Sequence, residues 1–180
     1  MDIDWDAERD SLRRVLIDLL TAVAQTAARQ AIADLAIDVD WALVNRSAVE
    51  WAETYSYELA SGITETSRLF LQEALSEWIQ SGAPLDDLET KLAPMFGPVR
   101  AEMIAVTEVT RAFAQGNIAA WRASGVVDGI RWRTAEDDIV CDICSGLAEQ
   151  TDTLDGDFDG QGPPPAHVNC RCWLVPVVNV

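Results

Sequence analysis

The sequence has a single histidine, His167, a single lysine, Lys91, and 13 basic residues against 30 acidic ones, for a formal net charge of −17. Each scarcity excludes something. A protein that neutralises phosphates needs clustered Lys and Arg, and the acidic excess holds throughout: 20 acids and 10 bases before residue 126, 10 and 3 from there on. Direct binding to duplex DNA is therefore not expected; a charged, soluble surface is the plain reading of the acidity, and a basic protein partner the sharper one. No apolar run approaches the ~20 residues of a membrane helix. The opening Met1-Asp-Ile-Asp-Trp-Asp is acidic where a secretory signal is basic and then apolar, so the chain reads as made and used in the cytoplasm. With one histidine there is little left for acid–base chemistry if that residue binds a metal. Nor does a His-x-Glu accompany a Pro-Cys-x-x-Cys, as in zinc deaminases. The expectation is a protein that binds and turns over no substrate.

All four cysteines fall within residues 141–172. In a reducing compartment such clustering points to metal rather than disulfides. Cys141-Asp-Ile-Cys144 sets two sulfurs one tight turn apart, His167-Val-Asn-Cys170 offers a second pair at the same spacing, and Cys172 follows. Two short-spaced pairs separated by a loop are the usual source of a tetrahedral zinc site, and thiolates with an imidazole disfavour hard cations. Five candidates compete for four places. Cys141, Cys144 and Cys170 come first, with His167 ahead of Cys172 for the fourth and Cys172 left as an outer or alternative ligand. One structural zinc per chain is expected; reduced core cysteines or a disulfide pair are the plainer alternative. A sparsely apolar tail has most to gain from such an ion, because metal binding there is coupled to folding.

The first 125 or so residues read as helical. Leu12, Leu16, Leu19 and Val23, widened by Val15 and Leu20, form the stripe of a first helix from Ala7 to about Leu35. Asp40 caps a second, with Val44, Ala48, Trp51, Tyr55 and Leu59 on one face. Gly62 is expected to break it, Thr64 or Thr66 to start a third helix with Leu71, Leu75, Trp78 and Ile79 inward, and Gly82 to follow its end. Pro84 opens a short segment carrying Leu85, Leu88 and Leu92, ended by Pro94 and Gly97. Pro98 begins the last long helix, which buries Met103, Val106, Thr110, Phe113 and Trp121 and stops at Gly125. Glu108 and Arg111 on it read as a surface ion pair. Strands are expected at Ile130–Thr134 and from Cys172 to Val178, the latter at an edge or near a strand end because of Pro176. Residues 148–166 read as an acidic loop, too polar for a core. Within it Asp155-Gly-Asp-Phe-Asp-Gly160 matches half of a calcium loop, but Ala166 stands where the bidentate Glu belongs.

Ala101-Glu-Met-Ile-Ala-Val-Thr107-Glu108-Val-Thr-Arg-Ala112, then Gly116, Ala120-Trp121 and Gly125, followed by Arg131-Trp132, Asp137-Asp138, Cys141-Asp-Ile-Cys144 and Pro164-Pro-Ala-His167-Val-Asn-Cys170-Arg171-Cys172, resemble the Mu F-like phage head morphogenesis proteins. The resemblance covers about residues 98–178. It implies a minor capsid protein of a tailed phage or prophage, associated with portal or coat protein during assembly and located inside the head, with host cytoplasm as the site of assembly. Cys141, Cys144, His167, Cys170 and Cys172 fall on the family's metal-type positions. Val106 stands where an Arg is usual, and Glu149 where a Gly commonly follows the Cys-x-x-Cys segment.

The expected architecture is mainly α: a helical bundle followed by a small zinc-stapled α+β C-terminal unit. The expected divisions are an N-terminal helical region (1–97), a long helix bearing the family pattern (98–125) and a zinc-binding unit with short strands (126–180). The expected role is portal-vertex assembly by protein–protein binding, with no membrane and no small-molecule ligand. A zinc-dependent hydrolase would instead need an open metal position. A nucleic-acid-binding zinc module would need basic and aromatic residues around the knuckles, where Asp137, Asp138 and Asp142 stand.

Overall fold

A computed structural model describes residues 4–33, 35, 37–81, 85–135 and 137–178. Four helices come first: α1 (Trp5–Ala33), α2 (Trp41–Ser81), α3 (Leu85–Phe96) and α4 (Pro98–Ser124). Then follow β1 (Gly129–Arg133), α5 (Asp142–Leu147), β2 (Thr151–Asp152) and β3 (Trp173–Val177). The protein is mainly helical with a small three-stranded sheet near its C-terminal end.

Capping residues set the helix starts. Asp4 Oδ1 accepts the Ala7 N–H at 3.1 Å, and Asp40 Oδ1 accepts those of Ala42 and Leu43 at 2.9 and 3.2 Å. Each such cap contributes about 1 kcal/mol. Pro98 occupies the first turn of α4, and Gly125 ends it in the left-handed region at φ 67°.

Helix α2 does not break at Gly62. It runs 41 residues, and the hydroxyls of Thr66 and Ser67 donate back to the Gly62 and Ile63 carbonyls rather than starting a new helix. A glycine inside a helix costs about 1 kcal/mol, too little to stop one supported on both sides. The side chains of Leu71, Leu75, Trp78, Ile79, Leu85 and Leu88 lie outside the described residues, as do Gly82 and Pro84 entirely. Helix α3 continues past Pro94 to Phe96. The break falls at Gly97, where a Cβ would sit 2.4 Å from the Ala93 carbonyl oxygen.

Helix α1 packs along both α2 and α4. Its contact face is built from Leu16, Leu20, Ala24, Ala27, Ala28, Ala31 and Ile32, all buried. A Cβ on Gly116 would lie 2.0 Å from the Ala24 carbonyl oxygen, so α1 and α4 meet backbone to backbone at that point. The predicted stripe is thus too wide. Val15 and Leu19 are exposed, and Leu19 lines an apolar groove with Leu12, Val23, Ile104 and Val109. Met103, expected inside, is 38% exposed. Glu108 departs in the other direction. It is buried, accepts the Tyr55 hydroxyl at 2.8 Å and pairs with Arg111, whose guanidinium lies over the Tyr55 ring. Burial and the Glu108 carboxylate push the Tyr55 phenol pKa up.

The sheet has strand order β2-β1-β3 with both pairings antiparallel. Ile130 faces Pro176 in the β1–β3 register, so Pro176 lies on an edge strand as its sequence context predicts. β2 was not foreseen in the loop. Nor was Phe158, which is 1% exposed and meets Trp132 edge-on at 5.3 Å. Burying such a side chain contributes roughly 2–3 kcal/mol. The half calcium loop is therefore a turn that inserts a core aromatic. One apolar cluster joins Ile32, Val44, Ile118 and Trp121 of the helices to Ile130, Trp132, Leu147, Phe158 and Leu174 of the C-terminal segment, with Cys144, Cys170 and Cys172 among them. Among the described residues no helix is long and apolar enough to cross a membrane.

Candidate metal centre

Helix α5 brings the first pair of cysteines together. Cys141 is its N-cap, with Sγ accepting the Cys144 N–H, and Cys144 lies one turn on, buried. The second half comes from an irregular turn. Asn169 adopts φ +64°, the Cys170 N–H closes onto the His167 carbonyl at 3.2 Å, and Cys172 follows just before β3. His167 is half-buried; Cys170 and Cys172 are buried.

The donors form two overlapping triads. Cys141, Cys144 and His167 make one, and Cys144, Cys170 and Cys172 the other, with all donor atoms inside each triad within 4.8 Å of one another. His167 Nε2 stands 3.1 Å from both the Cys141 and Cys144 sulfurs, and Cys144 Sγ is 3.7 Å from Cys170 Sγ. Around a tetrahedral ion with metal–sulfur bonds of about 2.3 Å, sulfurs stand about 3.8 Å apart. All five donors line one small cavity of about 30 Å³, with Ile139 and Val140 on its wall. They are close enough to hold a metal ion, and the thiolate and imidazole set suits a soft or borderline one.

The ring orientation fits ligation. His167 Nδ1 lies 2.8 Å from the Val168 carbonyl oxygen, so a proton on Nδ1 donates there and Nε2 keeps its lone pair for the cysteine cluster. That carbonyl, and then the neighbouring thiolates, push the His167 pKa up. The thiols divide. The Cys144 N–H holds Cys141 below the ordinary thiol range, and hydrogen bonding from Cys172 pulls Cys170 down to about 5. Burial pushes Cys144 up to about 12, and Cys172 is pushed up by its hydrogen bond to the Cys170 thiolate and then by burial. Cys141, Cys144, His167, Cys170 and Cys172 would hold a divalent cation only as thiolates and a neutral imidazole, the forms in which these residues are ligands.

Support from outside the five donors was not visible in their spacing. The Thr107 hydroxyl accepts the Asn169 N–H at 2.8 Å while donating to the Met103 carbonyl, and the Thr110 hydroxyl donates to the Cys170 carbonyl at 3.0 Å. The sequence signals were two threonines three apart on one helix face and the place of Thr107-Glu108 in the helical pattern above. Arg171 pairs with Asp137 at 2.8 Å beside the site and lowers the Asp137 pKa.

Glu149, the position where Gly is usual, adopts φ +64° and pairs with Arg131 and Arg133. The turn keeps its left-handed backbone despite the side chain.

A family model described as Phage Mu protein F like protein matches residues 70–175. The uncharacterized protein YqbB of Bacillus subtilis (strain 168) is 24% identical over 159 residues, covering 79% of this chain and 52% of that protein. The chain thus spans about half the length of this curated relative. No solved structure matches it.

Proposed function

The chain belongs to the Phage Mu protein F like family, and on that premise we propose that it is a phage or prophage minor head protein that acts in capsid assembly at the portal vertex by protein–protein binding. The observation that carries this reading is the span of the family match, which takes in α4 and the whole Cys/His cluster and ends at residue 175, within β3. Its work is docking onto portal or coat protein, inside the forming head and, before that, in the host cytoplasm. The charge of −17 supports a basic protein surface as partner and opposes free duplex DNA.

The metal is a single structural zinc. Bound, it cross-links α5 to the His167–Cys172 segment. Cys141, Cys144 and Cys170 would hold it with His167 as the fourth ligand, ahead of Cys172, which lies with Cys144 and Cys170 in the second triad. The unit from residue 126 onward depends on that cross-link, because its strands are short and its loops polar.

Two measurements test the reading. Metal analysis of untagged protein is expected to give about one zinc per chain; well under half an equivalent, with intact disulfides, would remove the zinc assignment. Co-sedimentation with portal-containing procapsids is expected, with no mobility shift of duplex DNA at roughly 150 mM salt. Micromolar DNA binding together with absence from procapsids would favour a nucleic-acid module instead.

A further inference from the structure

We propose that Thr107 and Thr110 of α4 are positioning residues for the metal centre, setting the His167–Cys170 half of the site in its ligating geometry. The inference rests on the metal-binding reading above and names what organises that site.

The two halves of the cluster are built differently. The Cys141–Cys144 half organises itself: both residues belong to α5 or its cap, and the Cys144 N–H already bonds the Cys141 sulfur. The His167–Cys170 half has no helix or strand of its own. Within it the backbone bond from Cys170 N–H to the His167 carbonyl is 3.2 Å long, and Asn169 sits in the left-handed region, which Asn adopts more readily than most L-residues. A turn held only by those contacts would sample many arrangements, and each would move the His167 ring and the Cys170 sulfur.

Helix α4 removes that freedom. Residues 107 and 110 are three apart and so share a face. Thr107 is 7% exposed, and its hydroxyl proton goes to the Met103 carbonyl at 2.6 Å. Its oxygen is therefore oriented to accept, and it takes the Asn169 N–H at 2.8 Å. Thr110 supplies the opposite polarity, donating to the Cys170 carbonyl at 3.0 Å. One hydroxyl accepts at Asn169 N–H and the other donates to the Cys170 carbonyl, so the peptide planes before Asn169 and after Cys170 are fixed, while the plane between them carries the Cys170 N–H bond to His167. By contrast, the hydroxyls of Thr26, Thr54 and Thr66 bond back to carbonyls of their own helix, those of Ala22, Glu50 and Gly62. Partners that orient metal ligands typically contribute 10- to 100-fold in affinity.

Cobalt(II) serves as the probe, since its thiolate charge-transfer and ligand-field absorption reports ligand number and geometry, with zinc competition giving affinity. Thr107→Val and Thr110→Val keep side-chain size and remove the hydroxyl. Each is expected to weaken cobalt and zinc binding about 10- to 100-fold. The ligand-field bands should shift while thiolate absorption from Cys141 and Cys144 persists. Thr107→Ser and Thr110→Ser, which keep the hydroxyl, are expected to bind within a few-fold of the parent with the parent spectrum. Thr54→Val is the control for a helix threonine that touches no loop, and should change neither affinity nor spectrum. Valine variants with parental affinity and spectrum would overturn the positioning role and leave the metal site standing. A parent protein that takes up neither ion would overturn both. If the valine variants fail to fold, serine variants that bind tenfold more weakly than the parent would equally sink the proposal.

Discussion

Between Ala24 and Gly116 two helices approach until no Cβ fits, whereas between Thr107 and Asn169 a helix meets a loop through one hydroxyl. The first contact is repeated down a periodic face of small and apolar residues, so each supports the next and no single one decides the packing. The second is individual. From residue 126 onward the chain places Glu149, Phe158, Asp159, Gly160, Gly162 and Asn169 at positive φ and commits single side chains to single tasks: Phe158 to the core, Asn169 to the turn, Cys144 to both triads. Periodic burial tolerates substitution, whereas a set of unique contacts depends on each member.

The largest expected effect breaks the second region and spares the first. Cys144 belongs to both triads, so Cys144→Ser should abolish metal binding, which in small structural sites supplies ~10 kcal/mol or more of apparent free energy. Near-UV dichroism from Trp132 should be lost and the C-terminal segment should become protease-sensitive, while most far-UV helical signal remains. The shared apolar cluster limits that separation, because Ile118 and Trp121 pack with Ile130 and Leu174. If a chelator melted the whole chain in one transition, the two regions would form one cooperative unit and the contrast would fail. Next comes Phe158→Ala, expected to cost about 3–5 kcal/mol as for other buried aromatics. Chemical denaturation monitored by Trp fluorescence checks it, and a loss under 1 kcal/mol would mean that the loop does not help to close the core.

The same contrast governs what could be read from the sequence. Helices α1, α2 and α4 announced themselves through apolar spacing, and Asp40, Pro98 and Gly125 marked ends where the structure has them. The errors arose where a local rule met tertiary support: Gly62 failed to break α2, and Val15, Leu19 and Met103 lay just beyond the face that neighbours cover. That the cysteines and His167 come together was legible because soft donors at short spacing have few other uses. Phe158 was not, since a lone aromatic in an acidic loop has no periodicity, and Glu108 was not, because its phenol partner is 53 residues away. Residue type carries metal chemistry in its composition; a long-range hydrogen bond leaves no local trace.

Tyr55 tests whether the helical region has a unique contact of its own. Tyr55→Phe strips the buried Glu108 carboxylate of a donor at 2.8 Å, leaving Arg111, and is expected to cost about 1–3 kcal/mol. The pH sign follows from the direction of the shift. The folded phenol pKa is raised above its ordinary value of 10.0, so the stability it confers is complete below pH 10 and drains away as pH rises through the folded pKa. The parent should lose stability on that alkaline limb, and Tyr55→Phe should flatten it. Parallel limbs for the two proteins would place the alkaline sensitivity elsewhere.

The smallest effect concerns Glu149, where backbone strain and ion pairing oppose each other within one residue. Its φ of +64° disfavours any side chain, yet its carboxylate pairs with Arg131 and Arg133, and its N–H donates to the Trp132 carbonyl at 2.9 Å. That backbone bond survives substitution, so only strain, ion pairing and chain entropy change. Glycine relieves about 1–2 kcal/mol of left-handed strain but gives back about 0.5–1 kcal/mol through its freedom in the unfolded chain. The ion pairs are more than half exposed on the Glu149 side, and exposed pairs contribute about 0–1 kcal/mol. Glu149→Gly should therefore lie within about 1 kcal/mol of the parent. Glu149→Ala keeps the strain and loses the pairs, so it should be less stable than the glycine variant by roughly 1 kcal/mol. Urea midpoints at low and high salt separate the two contributions, because screening weakens only the pairing. An alanine variant equal to or better than glycine would show that this turn relaxes out of the left-handed region, and that the C-terminal segment is less rigidly specified than its other single-residue contacts imply.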